Sequence, residues 1–153
     1  MGSSNMLKFA KIVKIIEGKA QLAPEVPKKV LMKIEDGDSG VTKCAMVVEI
    51  ADTPALRTLG LAKRASLSKV SGMWFDCHGP FWMKDVEFPL DLCYLDEKGM
   101  VTEKVAMAKD KEGKTLYPRQ KEASVQAIEL PAGFCDQNGV KIGDFLVPLA
   151  KIG

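Results

Sequence analysis

Long apolar runs are missing from this 153-residue chain. No stretch approaches the roughly 20 residues that a membrane-spanning helix needs. A strong charge bias is missing too. The 22 basic and 20 acidic residues leave a formal charge of +2, too little to drive the chain onto nucleic acid or an anionic membrane. Histidine is reduced to His78, so a triad built on Ser66, Ser68, Ser71 or Ser124 would have a single ring to draw on. Glycine-rich phosphate loops of the common spacings are absent. The four cysteines, Cys44, Cys77, Cys93 and Cys135, include no closely spaced pair. That removes the usual zinc signature, and neither a metal nor another cofactor is expected. A chain of this length can bury enough apolar surface without disulfides, so these are read as core thiols that favour a reducing compartment.

What is present suits one folded domain: 46% hydrophobic and 27% charged residues. The segment 7–16 sets Lys8, Lys11 and Lys14 three apart, while Leu7, Phe9, Ile12, Val13, Ile15 and Ile16 cover the rest. The spacing suits a short amphipathic helix, although its β-branched content also permits a strand. The lysines interrupt the apolar centre of a signal sequence, which leaves a cytoplasmic location as the default. Prolines 24 and 27 then favour an extended connection.

Strands are expected at 29–35, 45–51, 72–76, 90–95, 100–105, 125–130 and 144–147, from their β-branched and apolar content between turn residues. Asp52-Thr53-Pro54 reads as a helix start, with an oxygen to cap the exposed amides and a proline where no donor is needed. Leu56, Leu59 and Ala62 give that helix an apolar stripe, weakened at Gly60 by about 1 kcal/mol relative to alanine. Asp96-Glu-Lys-Gly99 is compact enough to join two strands as a hairpin. Short turns between strands argue against a parallel nucleotide-binding sheet. The expected fold is β-rich α+β: a small antiparallel barrel or curled sheet with one or two helices. Residues 1–44 read as an N-terminal extension and 45–153 as the β-rich domain.

The chain resembles the domain of unknown function 192 family of bacteria and phages. The residues that carry the resemblance are Val48-Glu-Ile-Ala-Asp-Thr-Pro54, Gly60-Leu61, Gly72-Met73, Phe81-Trp-Met-Lys84, Pro89-Leu-Asp91, Glu129-Leu-Pro-Ala-Gly133 and Gly139-Val-Lys-Ile-Gly-Asp144. They fall in family order over roughly 45–147. The resemblance implies a compact β-rich fold and assigns no activity. Where the family commonly has Asn-Thr after its Phe-Trp-Met-Lys run, this chain has Asp85-Val86. The occurrence of the family in phages makes a virion or capsid accessory component a concrete form of a structural role.

Phe81-Trp-Met-Lys-Asp85 lies between Gly79-Pro80 and Pro89. In an extended chain, alternation puts Trp82 and Lys84 on one face and Phe81, Met83 and Asp85 on the other. Trp82 beside Lys84 can floor a small-ligand pocket, with Lys84 holding an anion, Asp85 or Asp91 accepting hydrogen bonds, and Tyr117 packing at the mouth. The alternative is that the aromatics fill the core while Lys84 pairs with Asp85, Glu87 or Asp91. Cys77 and His78 are adjacent, and alternation directs them apart. Asp76, Asp85, Glu87 and Asp91 show no spacing that selects two acids for paired catalysis. Lys109, Lys111, Lys114, Arg119 and Lys121 are diluted by Asp110, Glu112 and Glu122, which argues against nucleic acid. No catalytic residue is therefore assigned, and the balance is against an enzyme. The favoured reading is a non-catalytic interaction module that docks on a protein partner, another copy or a larger assembly through Leu7, Phe9, Ile12, Ile16 and Val26. The second is a small-molecule binder using the region of Trp82, Lys84 and Asp85.

Overall fold

The structure is a computed structural model that describes residues 26–152. Seven strands form one sheet: β1 (Lys28–Glu35), β2 (Thr42–Ala51), β3 (Ser71–Phe75), β4 (Leu90–Leu95), β5 (Val101–Met107), β6 (Gln126–Pro131) and β7 (Phe145–Ile152). Among the described residues two short helices accompany them, α1 (Pro54–Leu59) and α2 (Phe134–Asn138). Across the sheet the order is β5-β4-β6-β3-β2-β1-β7. Turn chemistry sets the hairpins. Asp36 Oδ1 accepts from Asp38 N and Ser39 N at 2.9 Å each in the β1–β2 turn. Asp96 Oδ1 accepts from Lys98 N and Met100 N, also at 2.9 Å, in the β4–β5 turn.

Of the two expected forms, the curled sheet is the one found. Its edges meet at one end, where Met100 bridges Phe145 and Val101 N donates to Asp144 O at 2.8 Å, but the sheet does not close. It is also mixed: β2 and β3 run parallel. A parallel pair requires a crossover of about a dozen residues or more, and residues 52–70 supply one that carries α1.

Both faces of the sheet are buried. On one, Met46, Val48, Cys93, Leu95, Ile128 and Leu130 pack with Phe134 of α2. On the other, Met73, Phe75, Leu90, Leu92, Tyr94 and Ala127 are covered by Leu56 of α1, by Leu61, and by Phe81, Met83 and Val86. A register shift at Tyr94/Leu95 sends Val101 to the first core while Met107 reaches the second.

One local expectation is corrected. The helix begins as expected, with Pro54 in its first turn and Thr53 Oγ1 accepting from Leu56 N at 3.2 Å. It stops at Leu59, however, because Gly60 takes a positive φ of 51° and returns its N–H to Leu56 O. Gly60 therefore ends the helix instead of weakening its interior. The apolar stripe fails with it: Leu59 is exposed, and Leu61, beyond the cap, is the residue that enters the core. The cysteines, distant in sequence, are not all distant in space. Cys93 and Cys135 Sγ atoms lie 3.5 Å apart inside the first core.

Asp144 ties β7 to the β1–β2 turn. Its side chain is wholly buried and takes Lys43 Nζ at 2.6 Å, Lys141 Nζ at 3.0 Å and Gly37 N at 3.0 Å. Burial works to raise its pKa, but these donors prevail and hold it at about 2. Among the described residues no helix is long and apolar enough to cross a membrane.

Candidate functional site

The second core is not filled to its surface. Between α1 and the segment 79–86 a cavity of about 270 Å³ opens inward to β3 and β6. From α1 and its cap come Arg57, Thr58 and Gly60; from β3 and beyond, Phe75 and Cys77. The segment 79–86, which opens with a cis Gly79–Pro80 bond, contributes Phe81, Trp82 and Lys84. At the inner end is Glu129.

Glu129 sits at the centre of the sheet. β6 lies between β3 and β4, and Glu129 is in register with Met73 on one side and Leu92 on the other. Alternation along β6 sends Ile128 and Leu130 into the first core and puts Glu129 on the face of Ala127. The residue is only 4% exposed, and among the described residues neither a cation nor a hydrogen-bond donor reaches its carboxyl. Burial alone acts on it and pushes its pKa from 4.5 up to about 8. At neutral pH the inner end of the cavity therefore presents a protonated carboxyl, able to donate one hydrogen bond and accept others.

The walls are aromatic and the rim is basic. Phe75 and Phe81 meet edge to face with centroids 5.0 Å apart, and Phe81 also leans on Tyr94 at 5.8 Å. Tyr94 Oη donates to Tyr117 O at 2.6 Å, and burial, with Glu103 nearby, pushes its pKa up to about 12. At the rim Arg57 is neutralised by Asp76 at 2.6 Å. Trp82 is 45% exposed, and Lys84 Nζ stands 5.4 Å over its ring centroid. Among the described residues no carboxylate lies within ion-pairing distance of Lys84. Trp82 and Lys84 also border a shallower groove of about 530 Å³ along the other side of α1, with Lys63 and Asp85.

Three of the five residues proposed from sequence for a ligand therefore come together: Trp82, Lys84 and Asp85. Alternation in this segment holds through Lys84, with Phe81 and Met83 buried and Trp82 and Lys84 outside. Asp85 breaks it at a φ of 59°, its N–H bonded to Lys111 O at 3.0 Å and its carbonyl to Lys63 N at 2.9 Å. Asp91 is elsewhere: it accepts from Cys135 N at 3.0 Å and Gly133 N at 3.3 Å, capping α2, whose own N-cap Gly133 has no side chain to do so. Tyr117 pairs through its backbone with Phe81, its ring packed against the second core. Neither lines the cavity, and Asp85 borders only the groove. Glu87, a partner considered for Lys84, is engaged by Lys111 at 3.0 Å and Lys109 at 3.7 Å. Of the association residues, Leu7, Phe9, Ile12 and Ile16 lie outside the described residues, and Val26 is exposed ahead of β1.

These features define a class: a β-rich domain of one curled mixed sheet, with a cleft beside a short helix that runs inward to a buried acid. The chain belongs to the DUF192 family, described as "Uncharacterized ACR", whose model matches residues 35–147. The match begins at the last residue of β1 and takes in every element of the cleft. No curated protein matches this sequence. Two solved structures share the fold. One is a crystal structure of a protein from Sinorhizobium meliloti 1021 described as a "putative transcription regulator". It is 26% identical with a TM-score of 0.72, over 82% of this chain and 98% of that one. The other is a crystal structure of a protein of unknown function from Novosphingobium aromaticivorans DSM 12444. It is 26% identical with a TM-score of 0.65, over 81% of this chain and 91% of that one.

Proposed function

We propose that this protein binds a small molecule in the cleft between α1 and residues 79–86, with Glu129 as the inner contact. One observation carries the reading: an acid only 4% exposed, with no partner from the described chain, whose carboxyl meets solvent through an open cavity. Such burial is unfavourable in either protonation state, because a neutral acid wants hydrogen bonds and an ionised one wants a cation. An apolar residue at this position would fold more favourably, so the acid is explained best by a group that arrives from outside. Trp82 gives an aromatic lip, and Lys84 a charge at the rim for an anionic substituent.

The test is a fragment screen by ligand-observed NMR on wild type, Trp82→Ala and Glu129→Gln. Fragments that reach the cleft should bind wild type and lose at least half of their saturation transfer in each variant. A library that binds all three proteins equally, or none, removes the proposal. Trp82 is half exposed, so Trp82→Ala should change stability by less than about 1 kcal/mol and leave the comparison clean. Association through residues 7–16 and Val26, as part of an assembly such as a virion, is the competing outcome. It requires a particle or oligomer that a chain lacking residues 1–28 fails to form. A cytoplasmic setting for the ligand accords with four cysteines that form no disulfide in this structure.

A further inference from the structure

The cleft has a polarity that narrows what fits it. Its inner end holds the acid of Glu129, and the rings of Phe75 and Phe81 line the same cavity. Its outer end holds the cationic Lys84 on the face of Trp82. Arg57 adds no net charge, since Asp76 neutralises it. A carboxylate among aromatic faces is the chemistry that receives an ammonium: the ring quadrupoles attract the cation, and the acid supplies the counter-charge. A cation at the rim repels that same group and favours an anion.

We infer that the cleft takes a small amine, its ammonium directed inward to Glu129 and an anionic group outward to Lys84. This rests on the cleft being the binding site and goes beyond it by naming the ligand class. A cavity of about 270 Å³ suits a compact molecule, near the lower end of ordinary ligand sites. The proton balance is simple. The neutral acid ionises as the ammonium arrives, the ion pair forms, and the displaced proton goes to solvent.

The charged and titratable groups that face Glu129 across the cleft are few. They are Cys77 after β3, Arg57 with Asp76, and Lys84 at the rim; Tyr94 on β4, near Glu103, is felt electrostatically from outside the cleft. A Cys77→Ser variant separates any contribution of the thiol.

The probes are the ω-amino acids from glycine to 6-aminohexanoate, with the matching carboxylic acids and alkylamines, titrated calorimetrically into the full chain. In two buffers of different ionisation enthalpy, binding at pH 7 should release about 0.9 protons per ligand. Affinity should rise about ninefold from pH 6 to pH 7 and level off above about pH 9. Glu129→Gln should abolish both the proton release and the pH dependence, and Cys77→Ser should keep them. Lys84→Ala should weaken the amino acids while sparing the alkylamines. Binding by none of the amines overturns the inference. So does affinity that falls as pH rises, the mark of a ligand accepting the Glu129 proton. If fragments still occupy the cleft in the NMR screen, the ligand class is wrong and the site stands; if they do not, both fall.

Discussion

Replacing Glu129 with glutamine keeps the side chain's size and removes its ability to ionise. The folded carboxyl titrates at about 8 against 4.5 in its ordinary state. Between those values the folded protein retains a proton that the unfolded chain has released. Stability must therefore fall as pH rises from about 4.5, and the loss is complete above about pH 8. Integrated to pH 7, this single group removes about 3 kcal/mol from the folded state. Glu129→Gln escapes the loss. It should match wild type at pH 4, where both side chains are neutral, and exceed it by about 3 kcal/mol at pH 7. Urea unfolding followed by tryptophan fluorescence at pH 4, 5.5, 7 and 8.5 reads the difference, and every other titrating group cancels between the two proteins. The slope against urea should be unchanged, since the surface exposed on unfolding is the same. In a thermal melt the gap at pH 7 corresponds to roughly 6–12 °C. A glutamine variant no more stable than wild type at pH 7, or a gap that does not change with pH, would refute the reasoning.

Other expectations follow from single contacts. Asp91→Ala removes the acceptor for Cys135 N and Gly133 N at the start of α2; it should cost about 1–2 kcal/mol in urea unfolding without changing fragment binding. Asp144→Asn removes the buried counter-charge of Lys43 and Lys141, which retain Asp36, a loss of about 2 kcal/mol at pH 7 in the same assay. Because the pKa of Asp144 is depressed to about 2, its contribution is present above about 3.8 and fades as pH falls toward 2, so variant and wild type should converge in acid. Brief iodoacetamide labelling followed by mass spectrometry should modify Cys77 before Cys93 or Cys135, which are buried against each other. A ligand in the cleft should slow the Cys77 reaction, since Cys77 lines it.

The strands were legible because alternation and β-branched content are local properties. Stretches 29–35, 45–51 and 90–95 reappear as β1, β2 and β4 with small changes at their ends. The common face of Trp82 and Lys84 was legible for the same reason. What escaped was set by distant partners. An acid in the run Ala127-Ile-Glu-Leu130 looks like one solvent-facing position of a strand. It is buried because α1 and residues 79–86 cover the second face of the sheet, and no local pattern announces that cover. One signal was available: a single acid set between apolar neighbours on both sides within a strand, Ala127-Ile128 before it and Leu130 after it. Asp91 looked like a ligand acceptor until the fold brought a helix N-terminus to it from more than 40 residues away. Gly60 was ambiguous by nature, because a glycine within a helical pattern reads equally as a weak interior or as a cap.

The proposed binding depends on a neutral acid inside the cleft that has no partner among the described residues. Its most direct test is a carbon-13 titration of the Glu129 carboxyl by NMR, assigned against Glu129→Gln. A midpoint of about 8 in the ligand-free protein is the expected result. A midpoint near the ordinary 4.5 would show a carboxyl already solvated or paired, and would contradict it.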